Sequence, residues 1–144
     1  MRAKLINQDG ERTYALIFEA GDEVIAGLTQ FAREHGITAS RFSAIGAFSD
    51  VVLGYFDWER KDYARIRVAE QVEVLSLNGD IALDGDEPKV HAHVVIGKHD
   101  ATAHGGHLLE AHVRPTLEVV LIDSPAYLCR RYDKSSGLAL IRIE

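Results

Sequence analysis

From residue 41 onward this sequence is one short β-type run after another, and that succession restricts the fold more than any other feature. Runs rich in β-branched, aromatic and aliphatic side chains occupy residues 41–47, 50–57, 63–68, 71–77, 80–83, 89–97, 107–113, 117–123, 126–132 and 137–143, with the length and composition expected of strands. Asn78-Gly79, Asp84-Gly85-Asp86, Gly105-Gly106 and Ser135-Ser136-Gly137 read as turns between them. Asn-Gly between two apolar runs is the strongest hairpin cue of the set. Ahead of these runs, residues 12–19 (RTYALIFE) read as a first strand, and a helix follows. Gly21 opens it and Asp22 is its expected N-cap. Val24, Leu28, Phe31 and His35 form its stripe, Ile25 and Ala32 widen that stripe, and Gly36 is its natural stop. The expectation is an α+β fold: a mostly antiparallel β-sheet with one long helix packed on it, residues 1–144 forming a single domain.

Composition narrows the function classes. At 144 residues, 47% hydrophobic and 26% charged, the chain has the make-up of an ordinary globular domain. No apolar run approaches the roughly 20 residues of a membrane-spanning helix, and the opening MRAKLINQDGERTY lacks the apolar core of a secretory signal. The single cysteine, Cys129, leaves no intramolecular disulfide framework, reads as a packing residue and suits a cytoplasmic setting. Net charge is −6, whereas a sequence-independent DNA binder presents a basic face to phosphate. The basic clusters Arg60-Lys61, Arg65 with Arg67, and Arg130-Arg131 with Lys134 have acids beside them and read as solvated surface. Nucleic acid is disfavoured as a partner, and a membrane is not expected as one. Tyr55, Phe56 and Trp58 read first as core residues and second as part of a subunit interface.

The chemistry concentrates in residues 89–97. Val90, Ala92, Val94 and Ile96 alternate along that run, so they fall on one face of a strand, and His91 and His93 project together from the other. His107 begins the next run. If the two strands pair antiparallel about a loop centred near Asp100, His93 stands opposite His107, with Cβ atoms about 4.5–5.5 Å apart. Three imidazoles with an open fourth position form the ligand set of a catalytic zinc, whereas structural zinc favours four thiolate-rich ligands. His91, His93 and His107 are therefore the expected metal ligands and Zn2+ the expected cofactor. His99 and His104 fall in the intervening loop and read first as exposed and second as further ligands, while His112 falls on the opposite face of its strand and His35 at the helix end, where a cation is favoured. Glu118 interrupts the apolar run 117–122 and needs a partner. It reads either as acid/base or second-layer support beside the metal, or as an ion pair with Arg114 or an edge-exposed side chain. No nucleophile elbow of the G-x-S-x-G type is present. An enzyme, a DNA-associated module and a structural metal site remain competing uses of such a centre.

The segment VHAHVVIGKHDATAHGGHLLEAHVRPTLEVVL resembles the signature of the plants-and-prokaryotes conserved domain family. The stretches GDEVIAGLTQFAREHGI, FSAIGAFSDVVLGYFD and VEVLSLNGDIAL match the same pattern in order, so the resemblance spans nearly the whole chain. It implies an antiparallel α/β fold assembled as a homotrimer, metal ligation by His91, His93 and His107, and an acidic residue at Glu118. Plant members pair this domain with AT-hook segments, and no Arg-Gly-Arg-Pro core occurs here. The resulting expectation is a metal-binding domain of this family that acts on or senses a small molecule. A DNA-associated regulatory module is the alternative.

Overall fold

Strands dominate as the sequence implies, but they are fewer and longer than the turn signals suggest. The computed structural model describes residues 1–7, 10–124 and 128–142. In chain order the elements are β1 (Arg2–Asn7), β2 (Arg12–Glu19), α1 (Val24–His35), β3 (Ala39–Asp57), β4 (Asp62–Val68), β5 (Val72–Asp84), β6 (Glu87–Gly97), β7 (Ala103–Asp123), β8 (Cys129–Asp133) and β9 (Leu138–Arg142). They form one sheet in the order β1-β2-β7-β3-β5-β8-β9, with β4 beside β3 and β6 joining β5 to β7. Because β3 pairs with both β5 and β7 while β6 pairs with both as well, these four strands close into a ring. Pairing is antiparallel except between β5 and β8, which run parallel and make the sheet mixed.

Two expected turns lie inside strands. Asn78-Gly79 sits mid-way along β5, with Gly79 opposite Phe42 on one side and Ala92 on the other. A Cβ on Gly79 would stand 2.4 Å from the Phe42 ring and 2.5 Å from the His91 carbonyl oxygen. The glycine is there for a close approach within a strand, a role that local turn chemistry does not reveal. Gly105-Gly106 likewise belongs to β7, where a Cβ on Gly106 would come within 2.8 Å of the Gly54 carbonyl oxygen. The chain reverses a few residues earlier, where Lys98 donates to the Thr102 carbonyl and Ala101 to the Lys98 carbonyl, both at 2.9 Å. Between β5 and β6, and between β8 and β9, turns fall where the sequence places them, at Gly85 and Gly137. Residues 126, 127 and 143 of the last two expected strands lie outside the described residues. β1, which pairs with β2 at the sheet edge, has no counterpart in the sequence reading.

Among the described residues the helix is single but short: 12 residues, not a long element. Its apolar stripe buries Val24, Leu28, Phe31 and Ala32 and then ends, leaving His35 exposed with its ring 4.2 Å from that of Phe31. The N-cap is Glu23 rather than Asp22. The Glu23 carboxylate accepts from Ala26 N at 2.6 Å and, through its other oxygen, from Ala111 N of β7 at 3.2 Å, so the cap also fastens the helix to the sheet. Asp22 instead accepts from the Glu19 amide at 2.9 Å. Gly36 ends the helix in the left-handed region at φ 62°. The core runs from the helix face through Leu16, Phe18, Phe48, Leu77, Ile81, Ile96, Leu108 and Leu117 as one cluster. Among the described residues no helix is long and apolar enough to cross a membrane.

Candidate metal centre

The face on which the histidines lie is set by burial. Ala92, Val94 and Ile96 are 1%, 2% and 0% exposed, and removing Val94 and Ile96 from water stabilises by about 1.5–3 kcal/mol each. A one-residue slip of β6 would exchange these side chains for imidazoles, so the register is strongly held. His91 and His93 consequently project outward together, and His93 pairs directly with His107, as the spacing about Asp100 implies. The Nε2 atoms of His91 and His93 are 3.2 Å apart, and one ligand nitrogen from each of the three rings lies within 4.8 Å of the others. Two tetrahedral zinc ligands at about 2.0–2.1 Å from the ion stand about 3.3 Å from each other, close to the separation of those two nitrogens. The Nδ1 atom of His107 is buried without a hydrogen-bond partner among the described residues, and a cation is one way to satisfy it. This donor set fits zinc.

Electrostatics favour the neutral, ligating form. Burial, then the neighbouring His91 and His93 rings and the Arg130 guanidinium, push His107 down to about 4. Burial and then His91 lower His93 as well. Metal ligation requires unprotonated imidazole, so these groups need not shed a proton at neutral pH before an ion enters.

Beside the three rings lie Tyr63 and Asp80, neither of them a sequence candidate. The Tyr63 ring stacks on His107, with centroids 4.5 Å apart and planes 23° from parallel, and burial pushes its hydroxyl upward. Phe56 abuts Tyr63 at 5.3 Å, and Trp58 abuts Phe56 at 6.4 Å. Tyr55 and Trp58 are 70% and 59% exposed, so their core reading is corrected; Phe56 is half-buried. Asp80 directs Oδ2 at Nδ1 of His91 from 3.6 Å, and its Oδ1 meets the guanidinium of Arg130. Arg130 is 5% exposed, which corrects its reading as solvated surface. Beside His93 opens a cleft of about 280 Å3 lined by Ser76, Asn78, Val94, Val95, Gly105 and Gly106. The signal for Asp80 and Asn78 is their register opposite His91 and His93, which a turn at Asn78-Gly79 would abolish.

The remaining sequence candidates do not join this group. His99 and His104 are exposed, the latter 3.3 Å from Thr102 Oγ1. His112 bonds Asp50 at 3.1 Å through Nδ1. Glu118 is 11 positions beyond His107 on β7, exposed, and lines a groove with Ile45, Leu75 and Thr116.

The model of the Plants and Prokaryotes Conserved (PCC) domain matches residues 6–125. The chain belongs to this family. Solved structures similar to this PCC domain cover between 91% and 97% of the chain. A metal-containing protein from Archaeoglobus fulgidus is 33% identical, with 97% of this chain and 99% of that one covered at a TM-score of 0.86. A plant- and prokaryote-conserved protein from Pyrococcus horikoshii is 31% identical, with 96% and 99% covered at 0.87. A protein from Ralstonia eutropha JMP134 named as a candidate DNA-binding protein is 28% identical, with 91% of each chain covered at 0.85. Among curated proteins nothing matches.

Proposed function

We propose that this PCC domain is a zinc-binding homotrimer that acts on or senses a small molecule, with His91, His93 and His107 as the protein ligands. One observation carries the reading: three imidazoles from two paired strands bring their nitrogens within 4.8 Å of one another, and Nδ1 of His107 is buried without a hydrogen-bond partner among the described residues. The metal-containing relative from Archaeoglobus fulgidus supports it. When bound, zinc supplies Lewis-acid polarisation of a ligand oxygen. The chain itself contributes the cleft at His93, where Ser76 and Asn78 offer hydrogen-bonding groups and Gly105 and Gly106 leave bare backbone. Tyr63 closes the other side of His107. Within one chain Glu118 stands in the Ile45–Leu75 groove, so its acid/base or supporting role requires a neighbouring subunit. Exposed Ile45, Leu75, Val95 and Val120 on the outside of the ring offer such a neighbour an apolar face.

The test is elemental analysis of untreated protein, repeated on His93→Ala. The expected outcome is one zinc per chain in the native protein and loss of metal from a variant that keeps its circular dichroism spectrum. Retention of stoichiometric zinc by that variant ends the assignment. The name of the Ralstonia relative favours a second reading, a DNA-associated module with a structural metal or none. It predicts duplex binding with a steep logarithmic dependence on salt, which the net charge of −6 opposes.

A further inference from the structure

Arg130 is a buried cation on a strand that follows the end of the family match at residue 125. Its strand, β8, attaches to the ring by the parallel pairing Leu83↔Cys129 and Asp84↔Arg130. From there the guanidinium reaches two partners: Nη1 donates to the Ala139 carbonyl on β9 at 3.2 Å, and Nη2 donates to Oδ1 of Asp80. A buried guanidinium without an anionic partner would be costly, so the carboxylate is held where it is. The second carboxylate oxygen then faces Nδ1 of His91 at 3.6 Å, while Nε2 of the same ring faces His93. A carboxylate on the outer nitrogen of a ligating imidazole fixes its tautomer and its rotation, leaving the inner lone pair for the metal.

We infer that Asp80 and Arg130 are positioning residues of the metal centre: Arg130 fixes Asp80, and Asp80 holds His91 with Nδ1 protonated and Nε2 directed at the ion. The hairpin β8–β9 thereby becomes part of the site. The inference rests on the metal reading above and goes beyond it by adding Asp80 and, from outside the family match, Arg130.

The test compares the full chain with Asp80→Asn, Arg130→Met and Arg130→Lys. Zinc affinity is read by competition with a chromophoric chelator, site geometry by the visible absorption of bound Co2+, and stability by thermal unfolding of the metal-free proteins. Asp80→Asn and Arg130→Met are expected to weaken zinc by about 10–100-fold and to shift the cobalt bands. Arg130→Lys is expected to recover part of the loss, because it keeps the charge but not the fork. A residue that merely staples the hairpin would change unfolding without moving the cobalt spectrum. If Arg130→Met does not fold, Asp80→Asn still decides, since it preserves volume while removing the charge and turning one acceptor oxygen into an amide donor. Wild-type zinc affinity and an unchanged cobalt spectrum in Asp80→Asn overturn the inference and leave the three-histidine reading standing. Absence of zinc uptake by the native chain removes both.

Discussion

The Nε2 atoms of His91 and His93 meet at 3.2 Å because positions two apart on β6 share a face, while Ala92 and Val94 claim the other. A centre built from three donors responds unevenly to their loss. His91→Ala and His107→Ala are each expected to lower zinc affinity by at least tenfold, whereas His99→Ala and His104→Ala leave it unchanged; titration calorimetry reads the difference. Asp133 is the residue to probe for pH dependence, since it closes the hairpin that carries Arg130. Its Oδ2 accepts from Ser135 Oγ at 2.5 Å, from Ser136 N at 2.9 Å and from Ser136 Oγ at 2.8 Å, and these bonds, led by that of Ser135, push it down to about 2. The folded value lies below the unfolded one, so its contribution is complete above about pH 4 and is lost as pH falls towards 2. A carboxyl NMR titration should give a midpoint near 2, and Ser136→Ala should move it upward. At this scale the histidine triad was legible, because alternation and a loop centre fix it with local information. Arg130 was not, because its partner Asp80 is 50 positions away and an Arg-Arg pair beside acids looks like any solvated surface.

Elements were legible by type and misread by extent. Asn78-Gly79 has the residues of a tight hairpin turn, yet Phe42 and the His91 carbonyl press so closely on Gly79 that the strand runs straight through. Local turn chemistry gave way to tertiary packing, and the glycine serves space rather than reversal. Gly79→Ala is therefore expected to destabilise by about 1–3 kcal/mol through overpacking. A lowered urea midpoint with an unchanged slope would report it. Had the dipeptide been a turn with left-handed backbone, the same change would have cost through strain while leaving the Phe42 environment intact; near-ultraviolet spectra and Phe42 ring shifts separate the two. The helix shows a similar one-residue displacement. Aspartate is the commoner cap, but the longer arm of Glu23 spans from Ala26 N to Ala111 N and ties α1 to β7. Glu23→Ala should cost about 1–2 kcal/mol, read from the same denaturation curves.

For the whole molecule, neither ring closure nor assembly is a local property. β6 pairs with β5 on one side and β7 on the other, and β7 reaches both β6 and β3 through its length. No periodicity within a run announces partners that distant. The closed ring turns one set of alternating residues inward and leaves Ile45, Leu75, Val95 and Val120 between 42% and 61% exposed on neighbouring strands. A patch of that kind on a single chain calls for a cover, and stable interfaces bury about 800 Å2 on each partner. If three copies supply it, sedimentation equilibrium returns three times the 15.9 kDa chain mass. A charge placed at the centre of the patch would then be desolvated without a partner. Leu75→Glu combined with Val120→Glu is accordingly expected to yield a monomer that keeps the far-ultraviolet spectrum of the native chain, since both side chains are already about half exposed within one chain. A native chain that sediments at its monomer mass at 100-fold dilution and at high concentration alike would sink the trimer. It would also strip Glu118 of any route to an imidazole cluster, because within its own chain it faces the Ile45–Leu75 groove.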